Sequence, residues 1–394
     1  MTQGLCILGS TGSIGRNCLR VVDGLPGRFQ VEALSAGKNM EVLAAQVAKY
    51  HPRIAVVSDA DHKAKLRARL QSLGYRRRVK IGVGIEGQVE AATYSAVDFV
   101  VSASHGTTGL VATYEAVRAG KRVGLDDKET LVAAGELVMR AAKERGVEVL
   151  PIDSEHCAVH QCLRAGQRKE VRRLILTASG GPFLKTPLRH FDSIRPEQAL
   201  KHPIWRMGGR ITIDSATLVN KGLEIIEAHW LFGVAPRQID VVIHPESIVH
   251  SMVEFIDGSV MAQLGVPDMR IPIQYALTYP DRLAVADGGL GLDLISSGRL
   301  HFREPDTRRF PSLDLARGAL AQGGIMPCVL NAADEVAVEA FLNNRLRFSA
   351  IPRLIEAVMR EMGSCRTVNS LEDVLEGDRE ARHCAARTIS GISS

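Results

Sequence analysis

GSTGSIG, residues 9–15, follows the apolar run LCILG (residues 5–9) and opens the segment SIGRNCLRVVDG (residues 13–24). A β-rich run, a turn of small residues and an amphipathic segment, in that order, read as strand, glycine loop and helix. Small residues let the backbone approach a pyrophosphate, and a helix N-terminus supplies N–H groups and a partial positive charge. The spacing is G-x-x-G-x-x-G, a variant of the dinucleotide fingerprint. As a bare string it also fits a tight turn that holds nothing; the strand–loop–helix context is what favours a nucleotide.

Outward from this loop, residues 5 to about 150 alternate short β-rich runs (LCILG, VEALSAG, IAVVS, AVDFVVSA, RVGLDD, VEVLPID) with helical stretches such as NMEVLAAQVAKY and LVATYEAVRAG. This predicts βαβ units and a mostly parallel sheet covered on both faces: an α/β, doubly wound (Rossmann-like) domain over residues 1–150. From Pro151 the pattern changes. RRLILTASG, IDVVIHPES, IVHSMVEFI and SVMAQLG suit antiparallel or mixed pairing, with helices at SEHCAVHQCLRAG and LVNKGLEIIEAHWLFG, so a central α+β domain is expected over 151–282. Within it, residues about 180–210 are rich in Gly and Pro and lack a regular pattern, as a lid over a site does. Residues 283–310 read as a linker, and 311–394, with apolar residues at i, i+3, i+4 as in LIEAVMREM, as a C-terminal helical bundle.

The bulk numbers agree with several domains, since 394 residues exceed what one core serves. A formal charge of +5 is small for this size, and the basic residues are scattered apart from YRRRVK (75–80), which reads as a solvated face. No nucleic-acid partner is expected. Seven cysteines without a C-x-x-C pair read as reduced thiols. No run reaches the roughly 18 uninterrupted apolar residues of a spanning helix, and the chain goes straight into its first strand. A cytoplasmic protein without a membrane partner is therefore expected.

The second strand distinguishes nicotinamide cofactors. NAD sites place a carboxylate at its end for a ribose hydroxyl, whereas this strand ends LSAGKN, with Lys38 and Asn39 following and Glu32 too early for the role. A lysine suits a 2′-phosphate, so NADP is preferred. At the end of the last strand of this domain stands PIDSEH (151–156). In extended backbone, residues two apart share a face, so Asp153 and Glu155 would aim into one volume and repel unless a cation sits there. Alternatively, Asp153 or Ser154 caps the helix that follows.

A third carboxylate is offered by DSATLVNKGLEIIEAHW (214–230), where Asn220, Lys221 and Glu224 fall within about one helical turn, in a segment that also carries Ser215. The plain reading is a surface salt bridge; the chemical one is a ligand bearing a phosphate and a metal-chelating group. Three oxygen ligands without His or Cys favour a hard ion, Mg²⁺ or Mn²⁺. Ser179 before a Gly pair offers a phosphate nest. His202, Trp205 and Met207 lie in the long loop, where an exposed aromatic suits a lid. His244 and His250 of HPESIVHSMVEF read as structural histidines rather than zinc ligands.

Taken in order, GSTGSIG, AGKN (36–39), KE (128–129), PIDSEH, ASGGPF (178–183), HPIWRMG (202–208), DSATLVNKGLE (214–224), HPESIVHSMVEF (244–255) and GVPDMRIPIQYAL (265–277) resemble the 1-deoxy-D-xylulose 5-phosphate reductoisomerase family over nearly the whole chain. The resemblance implies an NADPH-dependent isomeroreductase, homodimeric in the family. It would turn a small phosphorylated sugar, 1-deoxy-D-xylulose 5-phosphate, into 2-C-methyl-D-erythritol 4-phosphate with Mg²⁺, Mn²⁺ or Co²⁺. On this resemblance the metal ligands fall on Asp153, Glu155 and Glu224, which with Lys128 form the catalytic set. Cofactor contacts fall on Thr11, Gly12, Ser13, Ile14, Gly37, Lys38, Asn39, Asp127, Glu129 and Gly208. Substrate contacts fall on Lys128, Ser154, Glu155, Ser179, His202, Ser215, Asn220, Lys221 and Glu224, with Trp205 closing over the carbon chain.

Two positions depart from the family pattern. Asp127 stands where the family has the amide of N-K-E, keeping an acceptor and losing the N–H donors. Arg206 follows Trp205 where a smaller polar residue is usual. Two other readings compete: an NADP-dependent aldehyde or semialdehyde dehydrogenase, which would need no metal cluster, and an NADP-binding paralogue with reduced or lost turnover, motivated by Asp127.

Overall fold

A computed structural model describes residues 2–104, 107–205, 208–285, 289–363 and 366–392. They form two compact units, each assembled from several stretches of chain: Met1–Thr130, Val138–Cys157 and Asp268–Gly291 in the first, and Leu131–Leu137, Ala158–Pro267 and Leu292–Ser394 in the second. The boundaries expected at 150 and 282 are linear, whereas these units are not. The helix Arg270–Thr278 shows why: its Ile273, Ala276 and Leu277 complete the core of the first unit.

The first unit carries a sheet of seven strands, β1 (Gln3–Leu8), β2 (Phe29–Ser35), β3 (Ile54–Val57), β4 (Lys80–Val83), β5 (Phe99–Ser102), β6 (Arg122–Leu125) and β7 (Val149–Pro151). They run in the order β4-β3-β2-β1-β5-β6-β7, every pair parallel. Ile7 of β1 pairs with Leu34 of β2 on one side and Val101 of β5 on the other. The order reverses at β1, so the crevice beyond its C-terminal end is the switch point where doubly wound sheets bind ligands. Six strands lie where the hydrophobic pattern places them. The seventh, β4, begins at the last residue of YRRRVK; it is a short edge strand with no fully buried residue, too weakly apolar to signal itself. Residues 76–78 before it are exposed, as expected of that basic run.

The second unit holds β8 (Val171–Ala178), β9 (Ile239–Ile243), β10 (Val249–Phe255) and β11 (Val260–Leu264) in the order β11-β10-β8-β9. β8 and β9 are parallel and the other pairs antiparallel, the mixed sheet that closely spaced strands predict. The helices Ser312–Gln322, Met326–Leu342, Ala350–Glu361 and Leu371–Ile392 form the C-terminal helical region. Gly222 lets the helix Val219–Phe232 approach it, because a Cβ there would lie 2.9 Å from Ala316 Cβ and 3.1 Å from the Ser312 carbonyl oxygen.

The expected lid over residues 180–210 is only partly irregular. Its front part holds a 3₁₀ turn, Leu188–Ser193, and the short helix Pro196–Ala199. Phe183 and Phe191 pack edge-on against Phe348, with ring centroids 5.1 and 5.5 Å away. Arg309 donates to the carbonyls of Thr186 and Leu184, both at 2.7 Å. This front part is therefore docked. From Gly209 the chain forms a helix absent from the sequence reading, Gly209–Thr217. Among the described residues no helix is long and apolar enough to cross a membrane.

Candidate functional site

In the first unit the three loop glycines have separate reasons. Gly9 has φ +80°, and a Cβ on it would lie 2.2 Å from the Ala103 carbonyl oxygen; one on Gly15 would lie 2.4 Å from Ser10 Cα. These two glycines let strand, loop and helix close on each other. Gly12 would meet only the Gly9 oxygen, at 3.3 Å, and it caps the helix Ser13–Gly24 without a side-chain bond. A helix start of this kind can offer its first-turn N–H groups to an anion. Ser10 holds the loop, donating its N–H to the Ser35 carbonyl at 2.8 Å and its hydroxyl to Gln46 Oε1 at 2.7 Å. Gly12 and Ser13 are exposed, and Thr11 and Ile14 partly so. Beyond β2, Gly37, Lys38 and Asn39 are exposed, and Asn39 Oδ1 accepts the Val42 N–H as cap of the helix Met40–Tyr50.

Adjacent strands β6 and β7 bring the other two motifs of this unit together, since Leu125 pairs with Pro151. Just past them, Lys128 Nζ lies 2.5 Å from Asp153 Oδ2, with the two side chains 7% and 10% exposed. His156 Nδ1 is 3.8 Å from the same oxygen. The next helix, Ser154–Cys162, starts at once, with the Asp153 carbonyl accepting the Cys157 N–H at 2.8 Å. The extended geometry expected for both carboxylates therefore stops at Asp153. Glu155 sits in the first helical turn and accepts the Ser154 hydroxyl. A cation for Asp153 comes from the chain itself, as Lys128.

Asp126 is partly exposed, yet desolvation by the surrounding protein and then Asp153 push its carboxyl up to about 7, against the pull of Lys128. Asp127 is buried, and its Oδ2 accepts the Thr130 hydroxyl at 3.0 Å. Burial first and neighbouring Glu129 second hold its carboxyl well above the usual carboxylate range. A protonated carboxyl has the shape of an amide and regains a donor, so a raised pKa moves Asp127 toward the amide it replaces.

In the second unit, β8 runs into Ser179, followed by Gly180 and Gly181 at φ +81° and +65°. A Cβ on Gly181 would lie 2.8 Å from the Ser215 carbonyl oxygen, so this turn lies directly on the helix Gly209–Thr217. His202 Nδ1 accepts the N–H groups of Ile204 and Trp205 at 3.2 and 2.8 Å. That leaves Nε2–H to donate to the Ser179 hydroxyl, 3.0 Å away. Trp205 is partly buried, its ring tilted 6.4 Å from that of His250. Gly208 caps the next helix, its carbonyl accepting the N–H and hydroxyl of Thr212. Arg206 and Met207 lie outside the described residues.

Leu218, at φ +60°, joins that helix to Val219–Phe232. Here Asn220 Nδ2 donates to Glu224 Oε1 and Lys221 Nζ to Glu224 Oε2, both at 2.6 Å. Lys221 is 3% and Glu224 0% exposed, so this is no surface salt bridge. Each unit thus buries a carboxylate under a lysine ammonium. Such carboxylates suit a hard divalent ion, which supplies the same charge compensation with more oxygen ligands.

His244 is structural, as expected: Nδ1 donates to the His301 carbonyl at 2.9 Å, while Nε2 accepts the N–H groups of Ile248 and Val249. Sequence reasoning missed Asp126 and His156 beside Asp153. Their signals were the doubled Asp126-Asp127 and the i, i+3 spacing within DSEH.

Comparison with known proteins adds an independent line. The family model described as 1-deoxy-D-xylulose 5-phosphate reductoisomerase matches residues 5–135; its C-terminal domain matches 149–232, and the DXP reductoisomerase C-terminal domain matches 264–384. The chain is 50% identical over 384 residues to the 1-deoxy-D-xylulose 5-phosphate reductoisomerase of Solibacter usitatus, covering 97% of this chain and 96% of that one. It is 50% identical over 389 residues to that of Heliobacterium modesticaldum, covering 99% and 98%. The fold superposes on the Zymomonas mobilis reductoisomerase in complex with NADPH with a TM-score of 0.91 at 40% identity, covering 99% of each chain. A crystal structure of DOX-P reductoisomerase with NADPH, fosmidomycin and magnesium gives 0.92 at 41%, covering 98% of each.

Proposed function

The chain belongs to the 1-deoxy-D-xylulose 5-phosphate reductoisomerase family, and from that premise we propose that Asp153, Glu155 and Glu224 hold its metal and that Lys128 serves with them at the reacting end of the substrate. The protein is an NADPH-dependent, divalent-metal-dependent oxidoreductase that converts 1-deoxy-D-xylulose 5-phosphate into 2-C-methyl-D-erythritol 4-phosphate. Magnesium and NADPH are its cofactors. When bound, the ion polarises vicinal oxygens for the rearrangement, and the dinucleotide supplies hydride for the reduction that follows.

This chain's own residues do the rest. Thr11, Gly12, Ser13 and Ile14 cradle the pyrophosphate at a helix N-terminus, and Lys38 with Gly37 and Asn39 takes the 2′-phosphate. Glu129, Asp127 and Gly208 complete the cofactor contacts. Ser179, Ser215, Asn220 and Lys221 grip the substrate phosphate, whose binding energy orients the reacting end. His202 and Ser154 add hydrogen bonds, and Trp205 excludes water.

The observation that carries this reading is the pair of buried carboxylates held by lysines, Asp153 by Lys128 and Glu224 by Lys221. The reading as a paralogue with lost turnover is not favoured, because burial and Glu129 raise the Asp127 carboxyl and so favour its neutral, amide-like form. The test is NADPH oxidation with 1-deoxy-D-xylulose 5-phosphate after chelation, with and without added Mg²⁺ or Mn²⁺. Metal-restored turnover that falls about 10³-fold in Glu224→Gln is expected, a loss of several kcal/mol at the transition state. Metal-independent turnover in that variant would sink the ligand assignment.

The oligomer we propose is a homodimer. Edge strand β11 exposes Val260, Met261 and Leu264, an apolar edge of the kind a second copy covers. Light scattering at micromolar concentration that returns a monomer would exclude it. Cytoplasmic location fits the six described cysteines, all buried and unbridged.

A further inference from the structure

Arg210 is the second residue of the helix Gly209–Thr217, between Trp205 and Ser215 in the chain. Its side chain is 25% exposed and reaches the helix Met326–Leu342, with Nη1 2.8 Å from Glu335 Oε1 and Nη2 2.9 Å from Asn331 Oδ1 and 3.6 Å from Asp334 Oδ2. Nε lies 3.6 Å from Asp214 Oδ2, one turn further along its own helix. Glu335 continues the line, because its Oε2 is 2.6 Å from Arg382 Nη2. Arg382 in turn grips both oxygens of Asp378, at 2.7 and 2.9 Å. Charged contacts therefore run from Leu371–Ile392 through Met326–Leu342 to the first turn of Gly209–Thr217.

An exposed pair of this kind would hold little, but these carboxylates are covered, Asp334 and Asp214 at 0% and 3% exposure. A planar guanidinium with fixed donors imposes orientation as well as attraction. The far end of the same helix is held by the C-terminal region too, where Ser312 donates its hydroxyl to the Thr217 carbonyl at 3.0 Å. Both ends of Gly209–Thr217 are thus fixed from outside it, around the position of Ser215.

We propose that Arg210 is a positioning residue through which the C-terminal helices set the alignment of Ser215, and past the Leu218 junction of Asn220 and Lys221, toward the substrate phosphate. This rests on the reading of those three residues as the phosphate grip. Arg210 acts by fixing the helix that carries Ser215, its own guanidinium being directed to Asn331, Asp334 and Glu335.

The test compares wild type, Arg210→Gln, Arg210→Lys and Arg382→Gln in the full chain for KM, kcat, NADPH affinity by fluorescence, and Tm. Loss of alignment weakens substrate binding, so KM for 1-deoxy-D-xylulose 5-phosphate should rise about tenfold in Arg210→Gln and about threefold in Arg382→Gln, while NADPH affinity, to which this helix contributes only its cap Gly208, should change less than about twofold. Arg210→Lys, which keeps the charge and loses the fork, should fall between wild type and Arg210→Gln. A folded Arg210→Gln with lowered Tm but KM within twofold of wild type overturns the proposal, as does an NADPH affinity that drops in step with KM. If Arg210→Gln does not fold, Arg382→Gln, which reaches Arg210 through Glu335, decides by the same readout. Failure of the functional reading looks different, since wild type itself would then leave the substrate unconsumed.

Discussion

Lys128–Asp153 and Lys221–Glu224 do the same electrostatic task in two units by different routes. The first pair is distant in sequence and meets because β6 and β7 are parallel neighbours whose following residues emerge side by side. The second lies within one turn of a single helix, at i, i+3. Exposure differs as well: Asp153 keeps a little and Glu224 none. A pair made by sheet topology requires a whole α/β unit and ends beside two helix starts, where Asp153 keeps a little exposure. A pair made by helical spacing needs only its helix, but here it is enclosed on all sides, so its charge balance has fewer substitutes.

The sharpest way to break this comparison is to remove each lysine in chelated protein and measure urea unfolding at neutral pH. Lys221→Met leaves Glu224 buried without its ammonium and should cost about 3–5 kcal/mol, the range for breaking a buried pair from one side. Lys128→Met should cost less, about 1–3 kcal/mol, because Asp153 keeps some contact with solvent. Added Mg²⁺ should return part of the loss in both variants, up to about 2.7 kcal/mol at a hundredfold excess over its dissociation constant. Equal losses in the two variants would dissolve the contrast. No recovery with metal in either would count against the ligand assignment itself.

The same contrast explains what was legible in the sequence. Asn220, Lys221 and Glu224 declare themselves by spacing, since helical periodicity is local. The glycine loop is also local, and the strands around it are apolar enough to be counted, but the strand order that makes its end the switch point appears only in the fold. Lys128 beside Asp153 was not legible from spacing; only strand order brings them together, and the resemblance supplied the role. β4 was missed because an edge strand needs no continuous apolar run. The helix Gly209–Thr217 was missed because glycines precede it and its polar residues point to partners elsewhere: Arg210 pairs with Glu335 across a long sequence separation. The docked front of the lid rests on Phe183 and Phe191 meeting Phe348, which no window of the chain contains.

Asp127 gives the smallest effect and the most specific sign. Its carboxyl is buried, bonded to Thr130 and crowded by Glu129 and Asp126, so its folded pKa stands well above the unfolded value of 3.8. A carboxyl raised in this way binds its proton more tightly in the folded than in the unfolded chain. Its stabilising contribution is complete below the unfolded pKa and is lost as pH climbs from there through the folded pKa, the opposite of a salt-bridged aspartate. Asp127→Asn keeps the shape and removes the titration. Thermal melts of the two proteins should therefore run closest near pH 4, with the variant gaining on wild type as pH rises toward 8. NADPH affinity near neutrality should stay within about twofold, since protonated acid and amide present similar hydrogen-bonding groups. A variant that instead loses ground as pH rises would mean that Asp127 is ionised and paired in the folded protein. That would put a third compensated carboxylate beside Lys128, and the contrast between the two units would then be one of charge count as well as route.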